Sequence, residues 1–133
     1  MLVVDSSVWI DFFNARNSVA RHELRRLLHD GHTRLVVPDL VLYEVLRGFR
    51  EERALRLARL LLLTLCIEPC GGEELALAAA EHYRQLRARG ITVRSSIDMM
   101  VAAFCIENDY LLLHSDRDYD ALAAHRGLRV WGH

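Results

Sequence analysis

Five short apolar runs alternate along this chain with stretches of helical periodicity, and that alternation limits the fold more than any other feature. The runs are LVV at the start, RLVV before Pro38, CIEP, YLLLH and LRVW near the end. Each is short enough for a strand and too short for a buried helix. Strands without polar alternation suit a sheet covered on both faces. The expectation is an α/β chain whose short, mainly parallel sheet lies between helices, as three α/β/α layers. With 133 residues, 52% of them apolar and only 8% aromatic, the chain suffices for one domain (1–133) with a Leu/Val/Ala-rich core.

Between the runs, helices are expected from Ser7 to about Asn14 and from Val19 to about His29, the latter stopping at Asp30-Gly31. Further helices are expected over DLVLYEVLRGF after Pro38, over EERALRLARLLL, and over EELALAAAEHYRQLRARG up to Gly90. SSIDMMVAAFCIEN and DYDALAAHRG complete the set.

Composition removes several functions. All 17 basic residues are Arg, so no reaction that needs a lysine amine is available, and the net charge of −1 excludes a simple basic polyanion binder. Cys66, Cys70 and Cys105 form an odd set behind no secretory leader, which predicts reduced thiols and a cytoplasmic location. Cys66 and Cys70 lack the second close pair of a structural zinc site. The leucine-rich stretch Leu55–Leu65 is broken by Arg56 and Arg59 and is too short to cross a bilayer.

The acids are more informative. Asp5 ends the first run and is followed by Ser6 and Ser7, either of which can cap the next helix. On this reading the serines cap and Asp5 is free for other work. Glu44 is the only charge in LVLYEVL, on a helical face with Val41, Val45 and Gly48; such a carboxylate needs a metal or a partner, and Arg47 is a candidate partner. Asp98 has the spacing of a capping box with Ser95. Asp116 and Asp118 follow the fourth run, one acid more than capping requires. In parallel sheets ligands bind at the carboxyl ends of strands, where Asp5 and Asp116 fall. Carboxylates that converge there repel one another unless a cation lies among them. An all-oxygen set suits Mg²⁺ or Mn²⁺, ions that polarise phosphoryl oxygens and activate water.

The layout resembles the PIN-domain ribonucleases, and among them the VapC toxins of VapBC toxin–antitoxin systems. The resemblance rests on VVDSSVWIDFF, LVLYEVLRG, RGITVRSSIDMMVAAFCIEND and LLLHSDRDYD, four segments in the family's order and spacing. It implies a PIN fold and makes Asp5, Glu44, Asp98 and Asp116 a catalytic, metal-holding quartet, with Asp118 a fifth acid at the rim. It further implies Mg²⁺- or Mn²⁺-dependent endonucleolytic cleavage of RNA, including transfer RNA, a homodimer, and neutralisation by a VapB-type antitoxin. Two positions depart from the pattern: His114 where Thr is common, and Tyr119 where Phe is common. Tyr for Phe is expected only to keep the packing.

Other readings are weaker. Receiver-domain and dehalogenase-type phosphatase chemistry both call for a lysine, and a P-loop calls for GK[ST]. The alternatives that survive are a metal-dependent nuclease acting on single-stranded DNA or RNA ends, and a PIN-like module that only binds. Arg47, Arg50, Arg53, Arg56 and Arg59 recur every three residues, while Arg84, Arg87, Arg89 and Arg94 lead towards Asp98. If the second group lies beside the acids, Arg94 is placed to grip RNA phosphates. The stretches Arg16–Asp30 and Arg50–Leu63 carry more Leu than one side of a small sheet needs. That surplus predicts a two-fold homodimer and a groove for an amphipathic antitoxin segment.

Overall fold

The first strand, β1 (Leu2–Val4), is buried at all three positions. Successive strand side chains point to opposite faces, so both faces of the sheet must be covered here. The computed structural model describes residues 1–132. In it, α1 (Ser6–Phe13), α2 (Val19–Asp30), β2 (Leu35–Pro38), α3 (Asp39–Arg47) and α4 (Glu52–Leu62) follow β1. Next come β3 (Cys66–Glu68), α5 (Glu73–Ala88), α6 (Ser96–Asn108), β4 (Leu111–Leu113), α7 (Asp120–His125) and β5 (Arg129–Val130).

The strands form one sheet in the order β3-β2-β1-β4-β5, with every pairing parallel. Two consecutive connections move outward on one side of β1, and the chain then returns to place β4 on the other side. The boundary between β1 and β4 is therefore a topological switch point. Connections that leave two neighbouring strands in opposite directions open a crevice at their carboxyl ends. Val4 pairs with Leu113 at that boundary, and the Asp5 N–H donates to the Leu113 carbonyl at 3.0 Å. Asp5 and the residues after Leu113 thus emerge side by side.

Trp9 on α1 is wholly buried and packs against Phe12 and Phe13, which in turn meets Phe49. Helix α6 is buried continuously from Val101 to Cys105. Its lack of a polar stripe there marks it as a central element, packed against α5 and β4. Ser95 caps α6 by accepting from the Asp98 N–H at 3.2 Å, and Ser18 caps α2 by accepting from Arg21 N–H at 3.0 Å. Gly31, at φ +72°, ends α2 in the left-handed conformation that glycine adopts without penalty.

Three expectations need correction. Asp5, not Ser6 or Ser7, is the N-cap of α1: its Oδ2 accepts from the Ser7 N–H at 3.3 Å. The stretch read as one helix from Asp118 is a 3-10 turn, Arg117–Tyr119, running into the shorter α7. Helix α2 carries no surplus leucine surface, because Leu24 and Leu27 face the core, although Val19 at its start is exposed; among the described residues the exposed leucines are Leu57, Leu60 and Leu63 in and just after α4, and Leu77 on α5. Among the described residues no helix is long and apolar enough to cross a membrane.

Candidate active site

Four elements deliver the acids to the carboxyl end of the switch point. Asp5 follows β1 directly and is only 4% exposed. The parallel register puts Asp116 three residues beyond Leu113 on the neighbouring strand. Asp98 sits in the first turn of α6, and Glu44 in the middle of α3, which packs against both α1 and α6.

Each acid has a distinct set of restraints. Asp5 is held through both oxygens. Oδ2 takes the Ser7 N–H and the Ser7 hydroxyl, while Oδ1 accepts from the Tyr119 hydroxyl at 2.7 Å. The Ser6 hydroxyl, freed from capping, donates to Glu44 Oε1 at 2.8 Å. Glu44 Oε2 lies 3.8 Å from the guanidinium of Arg47, the partner foreseen for this side chain. Asp116 Oδ1 caps the 3-10 turn by accepting from the Asp118 N–H at 2.9 Å, and the Asp116 N–H donates to His114 Nδ1 at 3.1 Å. Asp118 contributes its backbone to that turn and is half-buried. Arg94 is exposed on the segment leading into α6.

The electrostatics show how close these groups lie. Burial pushes the Asp98 carboxyl up to about 6, and the charges of Asp5, Glu44 and Asp116 push in the same direction against a lowering contact with Tyr119. Burial, then the charges of Asp5 and Asp98, push the Tyr119 phenol well above its usual range, so it stays a proton donor. Two thiols are buried elsewhere in the core: burial holds Cys70 up at about 12 and raises Cys105 further.

Among the described residues no three Asp, Glu, His or Cys side chains already stand in metal-holding geometry. The charges of Asp5, Glu44 and Asp116 nonetheless all act on the Asp98 carboxyl and raise it. Their donor chemistry is hard oxygen throughout, which fits a small divalent cation such as Mg²⁺ or Mn²⁺ and not a thiolate- or imidazole-seeking metal.

The PIN domain family model matches residues 2–125. The chain belongs to the PIN-domain family. Its relatives include the VapC ribonuclease Mb1587 of Mycobacterium bovis and ribonuclease VapC11 of Mycobacterium tuberculosis. Each is 33% identical over 126 residues, covering 92% of this chain and 92% of the relative. Among solved structures, the fold is similar to that of VapBC2 from Rickettsia felis bound to a promoter DNA fragment, with TM-score 0.76, 14% identity and 98% coverage of both chains. It is also similar to VapC20 of Mycobacterium tuberculosis, described as a sarcin-ricin loop cleaving toxin, with TM-score 0.67, 18% identity, and coverage of 94% of this chain and 95% of that one.

In this PIN domain three side chains at the site have uses that sequence reasoning missed. Ser6 and Ser7 steer carboxylates instead of capping, and Tyr119 contributes a hydroxyl as well as a ring. A signal for the last was present: a buried tyrosine seeks a partner for its O–H, and a Phe position occupied by Tyr adds that one polar atom. His114, buried beside the Tyr119 ring at 4.8 Å between centroids, accepts from the Asp116 N–H and so shapes the same turn.

Proposed function

We propose that this chain is a divalent-metal-dependent endoribonuclease toxin, a single PIN domain over residues 1–133, neutralised by a VapB-type antitoxin. What supports the reading is that Asp98, in the first turn of α6, feels the charges of Asp5, Glu44 and Asp116, which with burial push its carboxyl up to about 6. Four acids on their own repel a polyanion. A site of this kind accepts a phosphodiester only with a cation between the two sets of charges, which argues for Mg²⁺ or Mn²⁺ as the resident ion.

Asp5 and Asp98 are the principal ligands in this account. Both side chains are short and fixed at the end of a strand or the start of a helix, so neither must be ordered when the ion arrives. Glu44 and Asp116 complete the set, each with one oxygen steered by a hydrogen bond, and the second Glu44 oxygen lies 3.8 Å from the Arg47 guanidinium. When bound, the ion supplies Lewis-acid polarisation of the phosphoryl oxygen and a more acidic water. The protein's own part is to orient the carboxylates and to hold the RNA backbone for in-line attack. Arg94, exposed four residues before Asp98, is assigned a phosphate contact, and Asp118 a place at the rim.

The names of the relatives support RNA as substrate, and the neighbouring VapBC assemblies support a VapB-type partner. Transfer RNA is one candidate substrate, the cytosol the expected location and a homodimer the expected assembly. Exposed Leu57, Leu60 and Leu63 offer apolar surface for that assembly. Sequencing RNA 5′ ends after brief expression tests the function. New ends at a small number of sites are expected with the native chain, and none with Asp5→Asn. The same ends in both cultures would contradict the assignment.

A further inference from the structure

The Tyr119 side chain is fully buried, and its hydroxyl donates to Asp5 Oδ1 at 2.7 Å, with the Asp98 charge near enough to help raise the phenol. The turn that delivers it is the one that carries Asp116: Asp116 Oδ1 accepts from the Asp118 N–H, and the Tyr119 N–H donates to the Asp116 carbonyl at 3.3 Å. One turn therefore ties Asp116 to Asp5 by hydrogen bonds. Serine donors occupy the other oxygen of Asp5, so its carboxylate plane is fixed from both ends. A carboxylate has about four lone-pair sites, and these contacts still leave sites for an ion.

We infer that Tyr119 is a positioning residue for the divalent cation, its hydroxyl fixing Asp5 against Asp98 in the orientation that receives the ion. This rests on the metal-site reading above and deepens it. A neutral donor between two like charges offsets part of their repulsion while adding no charge that competes with the cation. Partners that orient ligating carboxylates in this way typically govern metal affinity by ~10–100-fold. A phenylalanine at 119 keeps the ring that packs beside His114 and removes only the hydroxyl.

The test is Mn²⁺ binding to the purified chain, measured by calorimetry without RNA, in native protein, Tyr119→Phe and Leu122→Val. Leu122 is fully buried on α7 and carries no polar group, so its variant reports what general loosening of this region does. Tyr119→Phe is expected to bind Mn²⁺ about 10-fold more weakly, with Leu122→Val unchanged from native. Equal or tighter binding by Tyr119→Phe overturns the positioning assignment while leaving the metal site in place. Equal weakening by Leu122→Val overturns it also, because the effect is then one of stability. Absence of Mn²⁺ binding by the native chain overturns the metal site itself, and the positioning assignment with it.

Discussion

Replacing Asp98 by Asn should stabilise the metal-free protein while abolishing cleavage. The carboxyl moves from 3.8 to about 6 on folding, mainly through burial and then through the charges of Asp5, Glu44 and Asp116. About two pKa units at ~1.4 kcal/mol each correspond to ~3 kcal/mol. Asp98 is half-exposed, so solvent screening reduces this to ~1.5 kcal/mol. Losing an acid from the first turn of α6 costs a few tenths of a kcal/mol, about 0.3 at such exposure. The net gain is ~1 kcal/mol, or ~3–5 °C in Tm for a chain of this size. The sign follows from linkage. A carboxyl whose folded pKa is raised weakens the fold above that pKa, and the penalty vanishes below the unfolded value. Thermal melts in EDTA at pH 7.5 should therefore show Asp98→Asn melting above native, with about half of the gap gone at pH 5. A variant that melts at or below native at pH 7.5 refutes the claim that the acids are crowded.

His82, buried on α5, accepts from Arg126 Nε through Nδ1 at 2.9 Å, and burial followed by the Arg126 charge holds its pKa down against the opposing charges of Glu107 and Glu81. Its contribution is thus present above the ordinary histidine pKa and lost as pH falls below it; on an Asp98→Asn background, His82→Gln should lose less stability between pH 7 and pH 5 than its parent in denaturant titrations. Leu57 and Leu60 are 60% and 67% exposed on α4. If that face joins two copies, Leu57→Glu with Leu60→Glu should give a monomer in analytical ultracentrifugation where the native chain is a dimer, with Tm changed by no more than a surface substitution allows. A native monomer at micromolar concentration sinks the dimer.

The layer architecture was legible because the central strands are short uninterrupted apolar runs and several helices carry a start or stop signal, such as Ser95 before α6 or Gly31 after α2. The location of Asp5 was legible for the same reason, being fixed by the end of LVV. Its capping was misjudged by treating a carboxylate as one acceptor: Oδ2 caps α1 while Oδ1 faces Tyr119. Ser6 was free to serve Glu44, 38 positions along the chain, a pairing no local pattern announces. The orientation of α2 was misread because counting leucines says nothing about which neighbours cover them. The Tyr119 hydroxyl escaped notice because its partner, Asp5, lies 114 positions away in the chain.

The most direct measurement is cleavage of RNA by the purified chain as Mn²⁺ is titrated in, with Asp5→Asn alongside. The account predicts no cleavage in EDTA, restoration by Mn²⁺ or Mg²⁺ in the native chain, and none at any metal concentration in a folded Asp5→Asn variant. Cleavage that persists in EDTA, or near-native activity in Asp5→Asn, would contradict a metal-dependent nuclease built on this cluster of acids.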